Sequence, residues 1–223
     1  MTSVADVVAG LALALQLAIL GTLGEAARRR NVAAIVNALF ALAVTLLPAL
    51  AAVIAPSITV DPTVPLWIAL AGFLHSLGML GLYETLWWWD HLTHTVSAAL
   101  VAALLYAALL VAYPLSAGVL AVATVGFTFA VGVFWELIEL VAREVGDRFD
   151  VEPVLVHYGW RDTAFDLVFD VVGALLIVGF EVGVFVPIVD RFPQVAETLV
   201  IGGGGVVLVG SLVMTVVVWP VAE

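Results

Sequence analysis

Residues 90–113 read DHLTHTVSAALVAALLYAALLVAY, a short polar opening followed by a long apolar run. The hydrocarbon core of a bilayer is about 30 Å thick, and a helix needs about 20 apolar residues to cross it. The apolar residues of this stretch are continuous and do not alternate with period two, which favours a helix over a strand. The stretch therefore predicts a membrane-spanning helix that begins at a polar site.

Similar apolar runs recur along the 223-residue chain. They predict up to seven spans, at residues 4–23, 32–54, 64–83, 92–113, 116–140, 163–186 and 198–219. Only helices and closed barrels satisfy their backbone hydrogen bonds inside lipid, and unbroken apolar runs are typical of helices. We therefore expect an all-α, polytopic transmembrane helix bundle of six to seven spans. We also expect one transmembrane domain over residues 1–223, with a polar-site core at residues 90–176.

The composition supports an integral membrane protein, whose partner is the lipid bilayer. Hydrophobic residues make up 64% of the chain and charged residues 11%, against about 45–50% and about 25% in soluble domains. The net charge is −11 and all seven basic residues are arginines. Without lysine there is no P-loop and no Schiff base, and the chain lacks the basic surface that nucleic acid requires. The acid excess also predicts a protein from a halophilic organism.

The arginines predict the orientation of the chain in the cell membrane. Arg28–Arg30 follow the first predicted span, and the positive-inside rule places them in the cytoplasm. Threading seven spans from that point puts the N-terminus outside and the C-terminus in the cytoplasm. Arg143, Arg148 and Arg161 then also lie inside, and only Arg191 lies outside.

Three polar stretches interrupt the apolar pattern, at residues 90–94, 135–139 and 162–170. Each places acids or histidines three or four residues apart, which puts them on one face of a helix. These residues are Asp90, His91, His94, Glu136, Glu139, Asp162, Asp166 and Asp170. In the predicted orientation all three stretches lie at the cytoplasmic end of the bundle, so we expect them to form one site.

Such a site is costly, because an acid at the centre of a span costs about 2.5–3.5 kcal/mol on the insertion scale. Only Arg143 and Arg161 lie near enough in sequence to neutralise it. A bound cation, protonated acids or water would do so instead. Carboxylates with imidazoles suit a divalent metal ion of unknown identity, with a predicted ligand set of Asp90, His91, His94, Glu136, Glu139 and Asp166. Asp162 and Asp170 are then candidate catalytic residues, as general base or as groups that orient a ligand.

Simpler interpretations exist for several of these polar residues. Asp90 and Asp162 are also suitable N-caps of the helices that they open. Arg143, Glu144 and Asp147 are expected in the loop after the fifth span. His75 is expected to be a packed, hydrogen-bonded histidine, and His157 carries no signal in the sequence. Four consecutive glycines at residues 202–205 predict close helix packing or a local break.

The spacing of these residues resembles that of a known group of membrane proteins. The pattern Asp-x-x-x-His, then Glu-x-x-Glu, then Asp-Thr-x-x-Asp-x-x-x-Asp-x-x-Gly resembles the uncharacterised YjdF-type family and, more distantly, the VanZ-like family associated with teicoplanin resistance. The matching residues are Asp90, His94, Glu136, Glu139, Asp162, Thr163, Asp166, Asp170 and Gly173. Those families tend to have Lys where this chain has His91 and Asn where it has Asp170. The resemblance covers residues 90–176 and implies a shared polar site in a multi-helix membrane fold.

Three functions remain open from the sequence. The first is a metal site that acts on a lipid-like substrate; if the protein is an enzyme, it is a metal-dependent membrane hydrolase. The second is a proton- or cation-coupled transporter or channel, for which Glu181 is the main acid toward the outer face. The third is a non-catalytic membrane scaffold or resistance protein whose polar core fixes helix packing.

Overall fold

The computed structural model describes residues 3–54, 60–150, 153, 155 and 157–218, and these form helices without any strand. Residue 219, the expected end of the last span, lies outside the described residues. The helices are α1 (Val4–Arg29), α2 (Val32–Ile54), α3 (Thr63–Leu77), a π-helical turn (Gly78–Leu82), α4 (Tyr83–Thr85), α5 (Trp89–Ala112), α6 (Ala117–Phe149), α7 (Trp160–Gly179), α8 (Val186–Val189) and α9 (Pro193–Val218). The predicted all-α fold is confirmed.

Six helical segments of the described chain are long and apolar enough to cross a membrane. They are α1, α2, the continuous segment Thr63–Thr85, α5, α6 and α9. Helix α7 corresponds to the sixth predicted span but ends at Gly179, and its acids and Arg161 keep it too polar to meet the same criterion. Six candidate spans agree with the lower bound of the prediction.

Helix α6 is longer than the apolar run predicted. It extends to Phe149, so that Arg143, Glu144 and Asp147 lie on its last turns and the loop placement expected for them is wrong. Arg and Glu are good helix formers, so the helix continues after its apolar stretch ends. Asp150 then ends α6 in the left-handed conformation, with φ 53°.

The described chain divides into two compact units, Met1–Thr93 and His94–Glu223. In the first unit α1, α2 and α3 pack on one another around Ile19, Ala38 and Ala41. His75 Nδ1 lies 2.6 Å from the hydroxyl of Tyr83, across the π-helical turn. His75 is therefore a packed, hydrogen-bonded histidine, as the sequence predicts.

In the second unit α6 is the central element and packs against both α7 and α9. The glycine run of α9 is part of a continuous helix, without a break. A Cβ placed on Gly204 would lie 3.4 Å from the ring of Phe127 on α6. The expected close packing is therefore present at Gly204, where α9 meets α6.

Candidate functional site

A buried histidine on α5 faces two carboxylates on α7, and these three residues form the histidine–aspartate cluster. His94 Nδ1 lies 3.0 Å from Asp170 Oδ1, within hydrogen-bonding distance. His94 Nε2 lies 4.0 Å from Asp166 Oδ1. All three side chains are buried, and Asp166 is only 2% exposed. The i, i+4 spacing of the two acids puts both on the face that α7 turns toward His94, as the sequence predicts.

Two glycines allow the helices that carry this cluster to approach closely. A Cβ on Gly132 of α6 would collide with the carboxylate of Asp170. A Cβ on Gly173 of α7 would lie 2.5 Å from the carbonyl oxygen of Thr95 and 2.9 Å from the amide nitrogen of Ala99 on α5. Small residues at such crossings are typical of membrane helix packing, because they let backbones come together.

Glu136 on α6 is the most deeply buried acid outside that cluster, at 4% exposure. Its Oε2 accepts a hydrogen bond of 2.7 Å from the hydroxyl of Thr163 on α7. Its Oε1 is buried and has no hydrogen-bond partner among the described residues. His94, Asp162 and Asp170 are the other titratable residues near the Glu136 carboxylate. A buried carboxylate oxygen without a partner is unfavourable and needs an explanation.

Glu136, Glu139 and His157 form a second group, the glutamate cluster. Each offers one potential metal-binding atom, and these atoms lie within 4.8 Å of one another. Glu139 Oε1 accepts a 3.0 Å hydrogen bond from the indole nitrogen of Trp135. His157 Nδ1 is buried and has no hydrogen-bond partner among the described residues. The cluster can therefore present carboxylate oxygens and one imidazole nitrogen to a cation.

The environment of His157 favours its neutral form. Burial and, to a smaller extent, the positive charge of Arg143 lower the pKa of His157 below its ordinary value. Because the neutral imidazole carries the lone pair that binds metals, this direction is compatible with a ligand role.

The other predicted site residues take up different positions. His91 belongs to neither cluster, and its ring lies 6.2 Å from that of Trp87 in an edge-on arrangement. Asp90 lies one turn before His94 on α5, and the Thr93 hydroxyl lies 3.3 Å from its Oδ1. Asp162 lies in the first turn of α7.

The N-cap interpretation of the two opening acids is wrong. Helix α5 begins at Trp89, one residue before Asp90, and Gly159 is the N-cap of α7. Both acids therefore lie inside the first helical turn, where a negative charge interacts favourably with the helix dipole.

The two arginines considered as counterions do not pair with these acids. Neither Arg143 nor Arg161 takes part in an ion pair within the described part of the chain. The guanidinium carbon of Arg161 lies 5.4 Å from the centre of the Trp160 ring. Among the described residues, the structure therefore agrees with the expectation that arginine does not pair with all of these acids.

Sequence reasoning missed two residues of the site. His157 follows Glu139 by eighteen positions across a loop, so no helical spacing connects the two. Gly132 precedes Glu136 by one turn of α6, and its role is visible only once Asp170 is placed against it. The only sign of Gly132 in the sequence is its position one helical turn before Glu136.

The comparison with protein families gives a match that covers most of the chain. The family described as predicted membrane protein (DUF2238) matches residues 9–185, a range that contains both clusters and ends before α8. Comparisons with curated proteins and with solved structures give no match.

Proposed function

Because the chain belongs to the DUF2238 family of predicted membrane proteins, we propose that it is a multi-spanning membrane protein that binds a divalent metal ion through its acid and histidine residues. The observation that carries this proposal is the Oε1 atom of Glu136, which is buried and has no hydrogen-bond partner among the described residues. A cation beside it would offset the cost of burying that charge.

The chemistry of the neighbouring side chains supports a hard or borderline divalent ion. Glu139 is three residues from Glu136 on α6, and its potential ligand atom lies within 4.8 Å of that of Glu136. Oxygen-rich sets that include imidazole suit Zn²⁺, Mn²⁺ or Fe²⁺ better than soft ions. His94 and Asp166, with Asp90 and His91 on α5, complete the proposed ligand set.

A divalent ion at this position would make hydrolysis the reaction to test. Such an ion lowers the pKa of bound water to about 7 and polarises an ester or phosphoryl oxygen. Asp162 and Asp170 are the carboxylates proposed as general base or as orienting groups, and Asp170 already holds His94 at 3.0 Å. Since the site is carried by membrane helices, the proposed substrate is lipid-like or amphipathic.

Elemental analysis tests the metal proposal directly. The protein is purified in detergent and exchanged into metal-free buffer, beside the double variant Glu136→Gln, Glu139→Gln. We expect close to one divalent ion per wild-type chain and a loss of that ion in the double variant. Glu144→Gln, on the same helix but outside both clusters, is the matched control and should keep its metal. Equal metal content in all three proteins contradicts the proposal.

A second candidate function is supported by the histidine–aspartate cluster. A buried histidine between two carboxylates, at 3.0 Å and 4.0 Å, is an arrangement found along proton and cation pathways in membranes. This interpretation predicts cation-dependent flux into liposomes that contain the purified protein. Asp166→Asn should abolish that flux, and an unchanged flux in the variant excludes the interpretation.

The scaffold interpretation and the resemblance to the YjdF-type and VanZ-like families lead to further proposals. If the clusters only fix helix packing, neutral substitutions change thermal stability and no assayed activity. Membership of the VanZ-like proteins would add a resistance role, which antibiotic susceptibility of a deletion strain tests. We further propose that the N-terminus lies outside and the C-terminus in the cytoplasm.

We also propose that the protein comes from an organism of salty habitats. The excess of acids over arginines in the chain supports this proposal.

A further inference from the structure

His157 is the imidazole that the structure groups with Glu136 and Glu139 of α6. It lies in the connection between Phe149, where α6 ends, and Trp160, where α7 begins. Its potential ligand atom lies within 4.8 Å of those of both Glu136 and Glu139. Eighteen positions separate His157 from Glu139, so no helical spacing accounts for this approach.

Two members of the glutamate cluster carry a buried polar atom without a partner among the described residues. These atoms are Glu136 Oε1 and His157 Nδ1. Glu136 is 4% exposed, so water does not compensate its carboxylate as it would at a surface. Two polar atoms left unpaired in one group point to a ligand that binds both, because each alone costs about 1–3 kcal/mol.

The spacing of the cluster suits one ion. Three atoms that lie within 4.8 Å of one another share a centre at most about 2.8 Å from each, against about 2.0–2.2 Å for a zinc–oxygen or zinc–nitrogen bond. Side-chain shifts of under about 1 Å would therefore bring all three atoms to binding distance.

Hydrogen bonds from neighbouring side chains hold both carboxylates in place. The Thr163 hydroxyl donates to Glu136 Oε2 at 2.7 Å. The Trp135 indole donates to Glu139 Oε1 at 3.0 Å. Residues that donate hydrogen bonds to metal-binding carboxylates orient those ligands, and such donors are typical of metal sites in proteins.

We infer that Glu136, Glu139 and His157 form a metal site with two carboxylates and one imidazole, selective for a borderline divalent ion such as Zn²⁺ or Mn²⁺. This inference rests on the proposed function and deepens it, since it assigns the nitrogen ligand to a loop residue outside the predicted set. The imidazole disfavours Mg²⁺ and Ca²⁺, which bind oxygen almost exclusively.

Pulsed electron paramagnetic resonance with Mn²⁺ tests this assignment on the full chain in detergent. The wild-type protein, stripped with a chelator and titrated with Mn²⁺, should show nitrogen coupling from one directly bound imidazole. His157→Ala should lose that coupling and bind Mn²⁺ at least about tenfold more weakly. Even the loss of a residue that only hydrogen-bonds to a metal ligand lowers the metal affinity about 10–100-fold. His75→Gln removes an imidazole that contacts the Tyr83 hydroxyl and lies outside both clusters, and it should keep the nitrogen coupling and the Mn²⁺ affinity of the wild type.

The outcomes separate the inference from the proposed function. Mn²⁺ binding that needs Glu136 but is unchanged in His157→Ala overturns the assignment of His157 and leaves the metal proposal standing. Absence of Mn²⁺ and Zn²⁺ binding in the wild type overturns both. If His157→Ala does not fold, His157→Gln provides the comparison, and elution of each variant as a single detergent-solubilised species verifies folding.

Discussion

His94 Nδ1 and Asp170 Oδ1 lie 3.0 Å apart although 76 positions separate the two residues in sequence. Both side chains are buried, and they join α5 to α7. A hydrogen bond with a charged partner is worth about 1.5–3 kcal/mol, and removal of one partner leaves the other unsatisfied. This pair is therefore expected to contribute both to helix packing and to the chemistry of the site.

The first prediction concerns this pair. His94→Ala and Asp170→Ala should each destabilise the protein by about 2–4 kcal/mol, because each leaves a buried partner behind. The double variant should lose less than the sum of the two, with a coupling of about 1–3 kcal/mol. Thermal unfolding in detergent measures all four proteins. Fully additive losses contradict a direct interaction.

The second prediction concerns the close approach of Gly132 to Asp170. Gly132→Ala should destabilise the protein by about 1–3 kcal/mol, because the added Cβ collides with the Asp170 carboxylate and forces α6 and α7 apart. Gly126→Ala is the control on the same helix, since its Cβ meets no atom within 4 Å. The control should be neutral or slightly stabilising. Equal melting temperatures for the two variants would show that α6 and α7 do not require the glycine.

The third prediction concerns the hydroxyl that holds Glu136. Thr163→Val keeps the shape of the side chain and removes the 2.7 Å hydrogen bond. If Glu136 is a metal ligand, the affinity for Zn²⁺ should fall about 10–100-fold, because the Thr163 hydroxyl then no longer orients the Glu136 carboxylate. Thr163→Ser keeps the hydroxyl and should retain most of the affinity. Competition with a fluorescent zinc chelator provides the measurement, and equal affinity in Thr163→Val contradicts the role given to Thr163.

The fourth prediction concerns the orientation of α7. The chain contains no cysteine, so single cysteines at the exposed positions Asp147 and Asp190 report their side of the membrane without background. Seven spans place Asp147 inside and Asp190 outside, and an impermeant thiol reagent applied to intact cells should label only Asp190→Cys. Labelling of neither would show that α7 does not cross, in agreement with the four charged residues in its first three turns.

The fifth prediction concerns the dependence of stability on pH at the start of α3. Hydrogen bonds to Asp61 from the Thr63 hydroxyl and, secondly, from the Thr63 backbone amide lower the pKa of Asp61. The folded state therefore binds this proton less readily than the unfolded state. The resulting stability is present above the ordinary Asp value of about 3.9 and is lost as the pH falls through the folded pKa.

Asp61→Asn supplies the comparison, because the amide oxygen still accepts hydrogen bonds but does not titrate. We expect wild type to lose about 0.5–1 kcal/mol relative to Asp61→Asn as the pH falls from 6 to 3, the size of an exposed capping interaction. Parallel melting curves of the two proteins across that range would contradict the effect.

The helical membrane fold and the faces that carry the acids follow from the order of the amino acids alone. Apolar runs specify spans because the thickness of the bilayer sets their length, and spacings of three and four specify a helix face because each turn has 3.6 residues. Both relations are local, so the spacing alone pairs Glu136 with Glu139 and Asp166 with Asp170.

Which of these faces meet depends on the tertiary structure. The distance from His94 to Asp170, the space that Gly132 leaves for Asp170 and the approach of His157 to Glu136 depend on helix crossings and on the path of a loop. Local spacing carries no information about these long-range contacts. The ends of helices show the same limit, because α6 extends to Phe149 through residues that tolerate both helix and loop.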